Sequence, residues 1–198
     1  MTTVTQASKS PASTTYHIDF PPAELADNEQ FISTLTQLIN EVYTVAEEGI
    51  FDPEYRRTNL GEVQGLIQAG FLAVASKALT SPYWQPHDIV GAVRINKYSP
   101  TMGNFGPMIA APQCQGTGLG RQLVQFGEDY CRSWGATTMQ IELLLNADNP
   151  SKLKIWVKAW YERLGYVVVR LRDFAEHYPH IAPRVITKTD YLVFEKTL

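Results

Sequence analysis

Cysteine is scarce in this chain: Cys114 and Cys131 are the only two among 198 residues, which is too few for a disulfide framework and lacks the paired spacing of a metal site. A reducing compartment fits that usage, so the expected location is the cytoplasm, with the nucleus left open. No apolar run approaches the roughly 20 residues that span a bilayer, and the opening stretch TTVTQASKSPASTT is polar, without the apolar segment of a secretory signal. No membrane partner is expected. Positive charge is not in excess either: 17 Lys and Arg against 20 Asp and Glu give a formal charge of −3. That excludes a broad basic field for nucleic-acid phosphates. What the chain does have is apolar mass, 44% hydrophobic and 11% aromatic residues, enough to bury a core of single-domain size. Residues 1–15 are expected to be a flexible tail and residues 16–198 one folded domain, as a monomer or a homodimer.

Hydrophobic periodicity divides that domain into elements. Tyr16 to Phe20 alternates up to Pro21-Pro22 and reads as a short strand. Asp27 and Gln30 have the spacing of a capping box, and Phe31, Leu35, Leu38, Ile39, Val42, Tyr43 and Ala46 follow at helical intervals. Asn59 and Glu62 open a second, shorter helix that ends near Gly70. Strands are predicted over 71–75, 89–95 and 104–110, separated by the loops SPYWQPHD and KYSPTMG. Past Pro112 a glycine-rich turn enters a helix with Leu119, Leu123, Phe126, Tyr130 and Trp134 on one face. A strand over 138–145, a helix over 153–164 closed by Gly165, a strand over 167–171 and a last strand over 191–195 complete the pattern. Hairpin-length links predict antiparallel pairing early in the chain, and the crossover helix predicts parallel strands on its two sides. The fold class is therefore α+β, a mixed, mostly antiparallel, twisted sheet with flanking helices.

The turn Gln115-Gly116-Thr117-Gly118-Leu119-Gly120-Arg121 has a direct physical use. The first N–H groups of a helix lack intrahelical partners and lie at the positive end of its dipole, while glycines let the backbone close on a phosphate. A P-loop is excluded, because no Lys and Ser or Thr follow the last glycine. A dinucleotide fingerprint would need glycine where Arg121 stands. Its ribose-binding acid could be Glu142, roughly 20 residues downstream, but that residue falls inside a strand instead of at its end.

Those residues resemble the acyl-CoA motif of the GNAT acetyltransferase family: Gln or Arg, two residues, Gly, one residue, Gly or Ala. The frame starting at Gln115 keeps a proline, Pro112, three positions earlier and continues as Gly118-Leu119-Gly120-Arg121-Gln122-Leu123; a frame starting at Gln113 also matches. A second segment, Ala159-Trp160-Tyr161-Glu162-Arg163-Leu164-Gly165-Tyr166, is similar to the family's A-x-x-Y-E-K-x-G-F, with the alanine nearer the tyrosine. The resemblance covers residues 104–170 and implies the GNAT fold with acetyl-CoA as co-substrate and no metal. It implies that amides of Gln115, Gly116, Thr117, Gly118, Leu119 and Gly120 hold the CoA pyrophosphate, with charge from Arg121. It further implies that the backbone of Met108, Ile109 and Ala110 pairs with the pantetheine arm, and that Tyr161 lies near the thioester sulfur as general acid. Relatives place an asparagine shortly before that tyrosine; here the spacing is longer, and Asn146 or Asn149 is the candidate pantetheine contact.

The acceptor side is less marked. An amine must lose a proton to attack, and a carboxylate or histidine commonly takes it. The strand NFGPMIAAP carries no acid, so Glu142, on one sheet face with Gln140 and Leu144 under strict alternation, is the candidate base. Glu47 and Glu48 are a second pair, at the end of the first helix. His177 and His180 lack further metal ligands, but with Tyr178 and Arg184 they fall in a long loop over 174–189, where function often resides. The expected function is direct transfer of an acetyl group from acetyl-CoA to an amine in a ternary complex. The alternative is a GNAT-fold module that binds acyl-CoA without catalysis, as the missing obvious base suggests. Net negative charge favours cationic acceptors.

Overall fold

The computed structural model describes residues 14–198. Most of the expected tail, 1–15, lies outside them, and Thr14 is already tied down: Gln122 Nε2 donates to its carbonyl at 2.7 Å. The strands are β1 (His17–Asp19), β2 (Leu72–Ser76), β3 (Ile89–Ser99), β4 (Met102–Ala110), β5 (Thr138–Asn146), β6 (Val167–Arg172) and β7 (Thr189–Thr197). The α-helices are α1 (Glu29–Ala46), α2 (Leu60–Gln68), α3 (Leu119–Ser133), α4 (Lys152–Arg163) and the short α5 (Phe174–His177). They build one seven-stranded sheet in the order β1-β2-β3-β4-β5-β7-β6, antiparallel throughout except for β4 and β5. The predicted mixed sheet is therefore present, including its parallel pair.

Local chemistry explains the boundaries. Asn28, not Asp27, caps α1, its Oδ1 accepting from the Phe31 amide at 3.0 Å, because the chain first makes a 3-10 turn over Ala23–Asp27. Asn59 caps α2 as its spacing predicts, accepting from Glu62 N at 3.0 Å. The loop expected over 97–103 is almost wholly strand: β3 and β4 pair as far as Ser99 with Met102, so Pro100-Thr101 alone makes the turn. In α3 the buried face runs through Leu119, Leu123, Val124, Gly127 and Cys131. Phe126 and Tyr130, expected on that face, flank it and pack on Phe20 with ring centroids 5.7 and 4.7 Å apart.

β4 and β5 position the site. They pair only over Met102–Asn104 with Thr138–Gln140 and then part, leaving the β5-facing edge of 105–110 without a strand partner among the described residues. The cause lies in β4: its register with β3 jumps between Met108 and Phe105, and such a bulge bends the strand that carries it. Pro107 sits inside the bulge, where its missing N–H costs no ladder bond. Above one sheet face α3 and α4 bury Phe105, Leu123, Cys131, Met139, Ile141 and Tyr161; on the other, α1 and α2 bury Phe31, Leu35, Ile39, Val63 and Ile67. Burial pushes the Cys131 thiol up to about 12, so it packs as an apolar group. A third cluster joins Ile50, Phe51, Leu144, Phe174 and Tyr191. It orders the segment expected as a long loop, which contains α5, a 3-10 turn over Ala182–Arg184 and a bridge from Val185 to Phe51. No helix among the described residues is long and apolar enough to cross a membrane.

Candidate active site

The glycine turn is shaped by two left-handed residues, Gly116 at φ 77° and Gly118 at φ 92°, the second being the N-cap of α3. That region disfavours any residue with a Cβ. Thr117 braces the turn from within. Its hydroxyl donates to the Cys114 carbonyl at 2.7 Å and accepts from Tyr16 Oη at 2.8 Å. The amides of Gln115 and Thr117 are taken by the carbonyls of Pro112 and Cys114 at 3.2 and 3.3 Å. Those of Gly116, Gly118, Leu119, Gly120 and Arg121 donate to no backbone carbonyl among the described residues. The free donors thus lose Gln115 and Thr117 from the set that the sequence implies and gain the amide of Arg121. Together with the dipole of α3 they form an anion site.

These amides open onto a cavity of about 1210 Å³ that runs through the gap between β4 and β5 to the face beneath α1. Met108, Ala110, Gln115, Gly116, Gly118, Leu119, Gly120, Arg121, Glu142 and Tyr161 all line it. Ile109 does not: by strand alternation its side chain turns into the core under α1, although its backbone lies on the same open edge of β4. Asn146 and Asn149 are absent from the cavity wall. Asn146 Oδ1 instead accepts from the amides of Asp148 and Asn149 at 3.1 and 3.0 Å, closing the turn after β5. The described geometry thus gives Asn146 a structural role in that turn.

α4 supplies the third wall. Ser151 caps it, accepting from Lys154 N at 3.2 Å, and Trp156 and Trp160 stack with centroids 6.1 Å apart. Trp160 lies against Gly120, where an added Cβ would sit 3.6 Å from the indole. One residue on, Tyr161 is buried among Phe105, Tyr166 and Phe194 at centroid distances of 6.3, 5.9 and 6.2 Å. Burial raises its pKa, with Tyr43 as the smaller cause.

On the far side of the gap the polar groups converge on Glu142. Gln140 Nε2 and the Tyr98 hydroxyl donate to its Oε1 at 2.7 and 3.4 Å, and Asn104 Nδ2 donates to Oε2 at 3.3 Å. Arg172 Nη1 stands 3.8 Å from Oε1. Burial, then the Glu142 charge, raises the pKa values of Tyr98 and Tyr191. The other acid pair separates. Glu47 is buried, 8% exposed, and Glu48 is exposed. Glu47 Oε1 faces Lys154 Nζ at 3.8 Å, and Oε2 has no hydrogen-bond partner. Burial lowers the pKa of Lys154, opposed by Glu47. His177 and Tyr178 reach the cavity wall, whereas Arg184 turns away to pair with Asp52, Nη2 to Oδ1 at 2.7 Å.

Sequence reasoning passed over Arg94, Asn96, Tyr98, Asn104 and Lys154. The signal for the first three was present: Arg94, Asn96 and Tyr98 alternate along β3 after the apolar run IVGAV. A polar stripe at period two on a strand that is otherwise core marks a face leaving the interior. Lys154 had no such mark, because its burial depends on α1 lying across the cavity.

Known proteins resemble this chain in family and fold. Residues 68–168, just over half of the chain, match the model of the acetyltransferase (GNAT) domain. No curated protein sequence matches the chain. Among solved structures it is similar to the PaiA N-acetyltransferase from Thermoplasma acidophilum in complex with coenzyme A, at TM-score 0.62 and 12% identity over 93% of this chain and 99% of that one. It is similar to N-acetylglutamate synthase from Neisseria gonorrhoeae complexed with coenzyme A and N-acetyl-glutamate, at TM-score 0.60 and 14% identity over 93% of this chain and 35% of that one. It is also similar to an IAA acetyltransferase from Bacillus cereus, at TM-score 0.56 and 15% identity over 93% of this chain and all of that one, 100%. At such identities the likeness is one of fold. With the glycine turn opening α3, the parted strands beside it and a family match over both, this chain belongs to the GNAT acetyltransferase family.

Proposed function

We propose that residues 16–198 form one N-acetyltransferase domain that moves an acetyl group from acetyl-CoA to an amine by direct attack. The observation that carries this is the continuity of one cavity from the free amides of Gly116, Gly118, Leu119, Gly120 and Arg121, past Tyr161, to the carboxylate of Glu142. The anion site suits the pyrophosphate, and the open edge of 105–110 suits the amides of a pantetheine arm, as a strand edge suits any extended peptide-like chain. The amine loses a proton to Glu142, directly or through water, and its nitrogen bonds to the acyl carbon. The C–S bond breaks, and the departing thiolate receives the phenol proton of Tyr161. Holding both reactants in attack geometry supplies about 7–11 kcal/mol of the barrier reduction.

Thermal unfolding with acetyl-CoA, CoA or NAD tests the cofactor. At about 100 times its dissociation constant a specific ligand adds about 2.7 kcal/mol, or roughly 5–11 °C in Tm for a chain of this size. A shift with both CoA species and none with NAD is expected, followed by thiol release when an amine is added. A shift with NAD alone sinks the proposal. The hydrogen bonds already on both Glu142 oxygens favour one second reading, an acyl-CoA-binding module without turnover. Acetyl-CoA bound but unconsumed across a broad amine panel supports that reading.

A further inference from the structure

We infer that the acceptor carries a carboxylate as well as its amine, and that Arg94 is the residue that binds it; this rests on the transferase reading above. A string of side chains crosses the acceptor wall on one sheet face. Arg94 Nε donates to Asn96 Oδ1 at 2.9 Å, Asn96 Nδ2 to Asn104 Oδ1 at 3.3 Å, and Asn104 Nδ2 to Glu142 Oε2 at 3.3 Å. Each link uses one donor and one acceptor, so the string fixes the orientation of every amide and holds the guanidinium by its Nε alone.

That leaves the two terminal nitrogens of Arg94 without a hydrogen-bond or carboxylate partner among the described residues, on a side chain that lines the cavity. Paired terminal N–H groups on one rigid plane form the fork that matches a carboxylate in two parallel bonds. Arg184, by contrast, spends its Nε and Nη2 together on Asp52. Glu142, at the other end of the string, lies two strands away, across the gap between β4 and β5. One wall therefore offers a cation and an anion to the same bound molecule. The other charges on this wall do not reverse this: Glu41, Glu47 and Glu142 are set against Arg57, Lys97 and Lys154, with Arg172 also 3.8 Å from Glu142, so that Arg94 is a cation in excess. The local field favours a molecule with a negative group, against the −3 of the whole chain. A polyamine would place surplus cations against Arg94 and Arg57.

The test measures kcat/KM by thiol release for alanine, β-alanine and glycylglycine, each beside its carboxamide, with spermidine as the polycation. Acids are expected to exceed their amides by about tenfold or more, the loss typical of an unpaired charged hydrogen bond. Arg94→Gln should collapse that ratio towards one through the KM of the acids, and Arg94→Lys should restore part of it. Thermal melts confirm that both variants fold. Amides or spermidine used as well as the acids, or a ratio that survives Arg94→Gln, overturns the inference. Calorimetric binding of the acids in the presence of CoA separates the two readings. Acids that bind the unaltered protein but not Arg94→Gln, with no thiol released, would uphold the carboxylate site and remove the transferase.

Discussion

A phenol can hand a proton to a departing thiolate only if it still holds that proton at working pH. Burial of Tyr161 raises its pKa, so the group stays protonated through the physiological range. The same desolvation makes a thiolate released beside it more basic, which keeps donor and acceptor matched. Tyr161→Phe keeps the ring that packs on Phe105, Tyr166 and Phe194 and removes only the proton. The expected result is a fall in kcat of about 10² or more with the dissociation constant for acetyl-CoA unchanged. An unaltered kcat would remove Tyr161 as the acid. The companion carboxylate was visible in the sequence as a polar residue in an apolar strand, but its four hydrogen-bonding and charged neighbours come from β3, β4, β5 and β6. No local pattern could assemble them.

At the scale of the element, the glycines of the turn before α3 are not interchangeable. Gly118 holds φ 92°, whereas Gly120 is helical and has room for a Cβ at ordinary contact with Trp160. Gly118→Ala is expected to cost about 1–2 kcal/mol of stability from the left-handed strain and to weaken CoA binding, because relief of that strain swings the free amides out of register. Gly120→Ala is expected to be neutral or to stabilise by up to about 1 kcal/mol, since alanine favours a helix over glycine by that much. Denaturant unfolding and CoA titration on the two variants check this, and equal losses at both positions would contradict it. The turn and α3 were legible because glycine conformation and helix capping are local. The rotation of the buried face of α3 was not, because Gly103 admits Cys131 closely enough that an added Cβ would collide with its sulfur, and that contact belongs to the packing of two elements.

At the scale of the whole molecule, two segments far apart in sequence clasp beside the cavity. Asp52 N donates to the Arg184 carbonyl at 2.9 Å, Ile186 N donates to the Ile50 carbonyl at 2.9 Å, and the Asp52 and Arg184 side chains pair. The Arg184 hydrogen bond holds the Asp52 carboxyl below the usual carboxylate range. A depressed folded pKa contributes stability above the unfolded value of about 3.9 and loses it as pH falls through the folded one. Asp52→Asn should therefore lower Tm at neutral pH, with a deficit that shrinks as the pH is taken down to about 2. A deficit of equal size at both pH values would mean that the pairing charge is not its source.

Short-range chemistry was readable from the order of the residues alone: the alternation of strands and helices, the caps at Asn59 and Gly165, the glycine-rich entry to α3 and, through two motif segments, the family. Which polar residues share a wall was settled by packing. Arg94, Asn104 and Glu142 lie on three strands, two of them joined by a tight hairpin and the third reached through a crossover helix. Their meeting is set by strand register and by the bulge that parts β4 from β5, neither of which has a signature along the chain. The field of the acceptor half belongs to the same class. Net charge is a sum over the whole surface, whereas a cavity feels only the few side chains that packing turns inward, without the water that screens the others.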